Sequence, residues 1–115
     1  WFGTLNFINN TEMYKLSSTA DDLLAYTGTP VDVAATTINL NAGWNYIGYT
    51  PQSPIETGSA LASIDGIATY IKNLEQYSEY YAGWGWFGTL LELQPYGGYM
   101  LVSTAHVLLA YTANP

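Results

Sequence analysis

One stretch occurs twice in this chain, and that recurrence limits what the chain can fold into. Residues 1–30, WFGTLNFINNTEMYKLSSTADDLLAYTGTP, align without a gap on residues 86–115, WFGTLLELQPYGGYMLVSTAHVLLAYTANP, at a constant offset of 85. Sixteen of the thirty aligned positions are identical, among them Trp1, Phe2, Gly3, Tyr14, Leu16, Ser18, Leu24 and Tyr26 with their partners. Self-similarity at a fixed period marks a repeat architecture, in which one packing unit recurs along the chain. Residues 1–30 are then the C-terminal third of a preceding repeat and residues 31–115 one full repeat, expected to pack together as a single structural domain. Beginning at Trp1 without Met, the chain reads as a processed or excised fragment, with any targeting signal outside it.

Within both copies the apolar period is that of strands. Trp1 to Ile8 alternates Phe2 and Thr4 against Trp1, Gly3, Leu5 and Phe7, and Met13–Ser18 and Asp22–Thr27 read as two more short strands. In the full repeat Thr36–Leu40 is β-branched, Asn41-Ala42-Gly43 makes a turn, and Trp44–Tyr49 alternates again, so the two segments read as a hairpin. Between Ser53 and Gly66 lies one helix, with either a capping box at Ser53-Pro54-Ile55-Glu56 or a later start after Thr57, and with Leu61 and Ile64 on one face. Ile67–Leu74 is strand-like, with Ile67, Tyr70 and Ile71 or Leu74 competing to face inward, and Gln76–Tyr81 is extended or irregular. Gln94-Pro95-Tyr96-Gly97-Gly98 is the hairpin turn of the second copy, its glycines supplying the positive φ. The fold class expected is mainly β: a small antiparallel β-sandwich or barrel with one short helix, seven or eight short strands in all.

Charge narrows the partners. Nine acidic residues against two basic ones leave a formal net charge of −7, so the lysines and arginines that neutralise phosphate are missing and neither nucleic acid nor an anionic membrane is an expected partner; no apolar run approaches a membrane-spanning length, so membrane insertion is not expected either. With no cysteine there is no disulfide, thiol catalysis or Cys-based metal site. No GxSxG, HExxH or P-loop pattern occurs, and the one histidine, His106, aligns with Asp21 in the first copy, so the framework does not depend on an imidazole there. Glu75, Glu79 and Glu92 lie near the aromatic residues without the spacing of a paired-carboxylate site. No enzymatic activity and no obligatory cofactor are expected. Asp21, Asp22 and Asp32 are the candidate oxygen ligands for Ca²⁺, with solvated turns as the competing reading.

Aromatic residues make up 16% of the chain, too many for all of them to be core. The repeated rings Trp1, Phe2, Tyr14 and Tyr26, with Trp86, Phe87, Tyr99 and Tyr111, are expected mostly inside. The unmatched rings Tyr77, Tyr80, Tyr81, Trp84 and Tyr96 are the candidate patch for a ligand or partner, by stacking on sugar rings or on another protein.

The segments GWNYIGYTP (Gly43–Pro51), ALASI (Ala60–Ile64), WFGTL (Trp86–Leu90), LQPYGGYM (Leu93–Met100) and LLAY (Leu108–Tyr111) give the full repeat a family likeness. From Ile38 to Thr112 it resembles a repeat module of bacterial and archaeal secreted and cell-surface proteins, of the pattern GWN-x-I-G-Y, GWFG-x-L and L-x-P-G-x-GY; residues 1–27 match the C-terminal part of the module again. The resemblance implies a non-catalytic structural or adhesive unit, extracellular or on a prokaryotic cell surface, whose partners are neighbouring repeats or copies of itself. Self-association through β-strand complementation, giving a filament, is the expectation; carbohydrate binding by the Tyr/Trp patch is the alternative. One departure is Pro95-Tyr96-Gly97, where the module has Pro-Gly.

Overall fold

In the computed structural model, residues 1–25 and 28–111 are described. The chain is mainly β, with antiparallel sheets and one short helix. The strands are β1 (Ile38–Leu40), β2 (Gly43–Gly48), β3 (Ile55–Glu56), β4 (Ala68–Lys72), β5 (Tyr77–Tyr81), β6 (Gly85–Gly88), β7 (Glu92–Leu93), β8 (Gly98–Ser103) and β9 (Val107–Leu109). A five-stranded sheet runs in the order β2-β8-β4-β5-β6, and two small sheets pair β1 with β9 and β3 with β7. The five-stranded sheet has two separate edges, β2 and β6, and does not close into a barrel.

Side-chain alternation along β8, which lies between β2 and β4, fixes which face is inside. On β8, Tyr99, Leu101 and Ser103 are buried; their neighbours across the sheet, Ile47 on β2 and Ile71 on β4, point the same way. This face joins Leu40, Leu61, Ile64, Leu90, Leu93 and Leu109 in one apolar cluster whose members all fall between Val33 and Tyr111. Burial of this kind, at roughly 25 cal/mol per Å² of apolar surface, is the main source of stability.

The helix, α1 (Thr57–Ala60), starts at the later of the two expected positions. Its cap is Glu56, whose carboxylate accepts the Gly58 N–H at 3.1 Å, and not Ser53, because Ile55 and Glu56 are held in β3 by Leu93 and Glu92. A 3-10 turn, Ala62–Ile64, follows, and Gly66 at φ 81° ends the segment. Leu61 and Ile64 are both buried, on the shared face expected.

Several expectations fail for identifiable reasons. β1 and β2 do not form a hairpin. Asn45 folds back to exchange hydrogen bonds with the Asn41 backbone (3.0 and 2.9 Å), and Gly43 at φ 101° redirects the chain, so β1 pairs with β9 while β2 pairs with β8. Residues 94–98 likewise join strands of different sheets, β7 to β8, and are no hairpin turn. Tyr70 and Ile71 do not compete for the interior, because a register shift between Ala68 and Tyr70 lets Ala68 and Ile71 both face inward and turns Tyr70 out. Leu74 is 81% exposed, and Gln76–Tyr81 is regular enough to form β5.

The largest correction concerns the first copy. None of the expected strands Trp1–Ile8, Met13–Ser18 and Asp22–Thr27 forms among the described residues, Tyr26 and Thr27 lying outside them. Trp1 and Phe2 are fully exposed where core was expected, and of their counterparts Trp86 is half-buried and Phe87 half-exposed. The reason lies in the pairing. β6 pairs with β5, β7 with β3, β8 with β2 and β4, and β9 with β1, so every strand of the second copy needs a partner from residues 38–81. One set of such partners exists in these 115 residues, and the second copy holds it. An unpaired strand in water does not offset its own ordering entropy.

Candidate functional site

Local backbone structure is nevertheless shared by the two copies. The Asn9 N–H donates to the Tyr14 hydroxyl at 2.9 Å, as Gln94 N–H donates to the Tyr99 hydroxyl at 2.8 Å. Glu12 N–H closes onto Asn9 carbonyl at 3.4 Å, as Gly97 N–H closes onto Gln94 carbonyl at 3.0 Å. The Ser18 hydroxyl donates to Ala20 carbonyl and the Ser103 hydroxyl to Ala105 carbonyl, each at 2.7 Å. Gly3 and Gly88 have φ of 149° and 154°. All four correspondences fall at the offset of 85. Short-range hydrogen bonds are thus set by the repeated residues, and the sheet is set by the partners.

Among the described residues the first copy meets the full repeat along the outer edge of β2 and the adjoining start of β8. Gly48 N–H donates to Thr11 carbonyl at 2.9 Å, Glu12 bridges Ile47, Met13 packs on Gly98, and the Lys15 ammonium sits 5.5 Å from the centre of the Tyr46 ring. Gly48 is required here for room: a Cβ on it would run into the Asn10 carbonyl oxygen, and the Glu12 carbonyl would lie 3.1 Å away. Glu12 is held below the usual carboxylate range by hydrogen bonds from Tyr14 and Asn9.

Beneath this edge lie three tyrosines. Tyr111 donates to Gly48 carbonyl at 2.9 Å, Tyr49 donates to Ser53 carbonyl at 2.7 Å, and the Tyr49 and Tyr111 rings meet edge to face at 5.2 Å. Burial pushes the Tyr49 hydroxyl up to about 12 and raises Tyr111 and Tyr99 as well.

The five rings picked from the sequence do not form one patch. Tyr77 and Tyr81 share the outer face of the sheet, whereas Tyr80 faces the other way against Trp86, with ring centres 5.4 Å apart. Trp84 lies in the β5–β6 turn at the Ser103 end of the sheet, and Tyr96 lies at the Gly98 end. The outer face instead gathers Trp44, Tyr46, Tyr70, Tyr77, Tyr81 and Phe87. Trp44 packs edge-on to Tyr70 (5.9 Å), Tyr70 stacks on Tyr77 (6.0 Å), and Tyr81 meets Phe87 (5.9 Å). The alternation of Trp44 and Tyr46 against Ile47 was the sequence signal for this face; the bulge at Tyr70 hid the rest.

Tyr96 carries the positive φ of its turn, 66°, which the sequence had assigned to the glycines. It stands at the third position of a Pro-containing turn closed by Gly97 N–H, the place Gly normally takes in a type II turn. A side chain there costs about 1–2 kcal/mol relative to glycine. Gly97 is needed for space instead, since a Cβ would lie 2.7 Å from the Tyr99 hydroxyl.

The remaining candidates are dispersed. Asp22 accepts its neighbour Leu23 N–H at 2.8 Å, and Asp32 caps the 3-10 turn Val33–Ala35 through Ala34 N–H at 3.1 Å. Among the described residues no group of three or more His, Cys, Asp or Glu side chains is arranged to hold a metal ion. His106 is exposed between β8 and β9, Glu79 accepts from the Tyr81 hydroxyl (3.0 Å), and Glu92 accepts from the Gln94 side chain (2.8 Å). No helix among the described residues is long and apolar enough to cross a membrane. Comparison with protein-family models, with curated proteins and with solved structures finds no match to this chain.

Proposed function

We propose that the chain is a non-catalytic structural and adhesive repeat module of a prokaryotic extracellular or cell-surface protein, which associates with neighbouring units or copies of itself by β-strand complementation. Each 85-residue unit is a small sandwich, its two-stranded sheets covering the inner face of the five-stranded one. The observation that carries this reading is the division of labour in the sheets: the terminal third of a unit supplies β6 to β9, and residues 38–81 supply all their partners. Residues 1–25 repeat that terminal third without the strand partners that β6 to β9 have, bridging β2 only at Glu12, and they expose Trp1, Phe2, Leu5, Phe7, Ile8, Leu16, Leu23 and Leu24. Apolar surface displayed in this way is a docking element in search of its groove. Light scattering and electron microscopy over a wide concentration range should show concentration-dependent assembly into head-to-tail chains. A strictly monomeric species throughout contradicts the reading.

The outer-face aromatics favour a second reading, recognition of neutral glycans by Trp44, Tyr46, Tyr70, Tyr77, Tyr81 and Phe87. Ring faces bearing a polar handle stack on sugars, and Trp44 is 58% exposed. Titration with bacterial and plant polysaccharides should quench tryptophan fluorescence in the parent chain and less so after Trp44→Ala. Absence of quenching by any of them retires this alternative.

A further inference from the structure

The turn that rests on Gly48 and its counterpart at residues 94–97 share a closing hydrogen bond and a tyrosine brace, differ in that Tyr96 has a positive φ and Thr11 does not, and have different fates. The first, Asn9–Glu12, is docked, with its Thr11 carbonyl taking the Gly48 N–H. The second has the same closing hydrogen bond and the same tyrosine brace, and its tip residue, Tyr96, is 82% exposed. Position 96 corresponds to position 11 at the offset of 85, so the Tyr96 carbonyl is the counterpart of the one that already accepts the Gly48 N–H.

From these correspondences we infer that the edge formed by Gly48 and Gly98 is a socket, that residues 94–97 are the matching plug, and that the occupant of a vacant socket is the plug of a second copy of this chain. The inference rests on the repeat-array reading above and adds the joint by which successive units are set against each other. In an array, the turn of each unit enters the socket of the next, as Asn9–Glu12 enters this one. The contact is head-to-tail, and a head-to-tail contact propagates. Strained backbone kept at an exposed tip fits a residue held for what it contacts. Within the intact chain the first copy fills the socket, its tether giving it an effective concentration on the order of millimolar, so copies in trans are excluded.

A chain of residues 31–115 removes the tethered plug and keeps every member of the apolar core, which begins at Val33. In a dilution series of amide spectra, Gly48, Tyr96 and Gly97 should shift together with concentration, with the rest of the sheet unmoved. Gly48→Ala should abolish those shifts, a loss of at least about tenfold in association, because the three atoms nearest the new methyl all belong to the docked turn. If the shortened chain does not fold, Glu12→Pro in the full chain opens the same socket by removing the N–H that closes the Asn9–Glu12 turn, and the same shifts are expected. Amides that do not move with concentration, or that move elsewhere and are indifferent to Gly48→Ala, overturn the inference. Strand complementation is judged separately, by assembly of the full chain, where this socket is filled.

Discussion

Raising the pH above about 10 should unfold this protein over a narrow range, with stability falling by up to about 4 kcal/mol per pH unit. Tyr49, Tyr99 and Tyr111 are all nearly inaccessible, and burial raises the hydroxyl of each, Tyr49 to about 12. An unfolded tyrosine loses its proton near pH 10, so below that pH both states are neutral and the stability is whole. Above it the unfolded chain gives up protons that the folded chain retains, and each retained proton costs about 1.4 kcal/mol per pH unit until the folded hydroxyl itself ionises. With Tyr49 keeping its proton to about pH 12 and Tyr111 and Tyr99 also raised by burial, the loss over one to two pH units is several kcal/mol, a large share of a typical domain's roughly 5–15 kcal/mol. Tyr81 adds nothing to this ledger: its hydroxyl is raised by the hydrogen bond to Glu79, but it lies at the surface. Denaturant unfolding followed from pH 8 to 12 checks the slope. In Tyr111→Phe, which keeps the ring and loses the bond to Gly48 carbonyl, the alkaline limb should be shallower by about a third. An unaltered limb would mean that Tyr111 titrates as an ordinary surface phenol.

How much of this was legible in the sequence depends on the range of the interaction. The repeated Tyr14 and Tyr99 and the repeated Ser18 and Ser103 hold the same short-range hydrogen bonds, and so do the turns at 9–12 and 94–97, whose residues differ and gave no such signal. Alternation in Trp44–Tyr49 gave β2 its faces correctly. Partner choice was not legible: β1 lies next to β2 in sequence, but Asn45 and Gly43 send β2 to β8, some 55 residues away. Residues 1–25 were read as strands because their pattern is a strand pattern, and the sheet that would complete them is absent. The aromatic patch suffered from the same limit. Tyr77, Tyr80 and Tyr81 are neighbours in the chain, but the pleat sends Tyr80 to the other face, and Trp44 and Tyr70 reach the patch only through β8 and a bulge.

Equivalent leucines in the two copies test that account most directly. Leu101 is fully buried at the centre of the five-stranded sheet, and Leu16, its counterpart at the offset of 85, is 65% exposed. Truncating a buried leucine removes its transfer free energy and leaves a cavity, a cost of roughly 2–5 kcal/mol, whereas an exposed one changes stability within about 0.5 kcal/mol. The measurement is the urea midpoint of Leu101→Ala and Leu16→Ala in dilute monomeric protein. A large fall for Leu101→Ala with none for Leu16→Ala is the result expected of one completed unit carrying an unpartnered copy of its own end. Equal losses at both positions would show that residues 1–27 are built into a core of their own, and would contradict it.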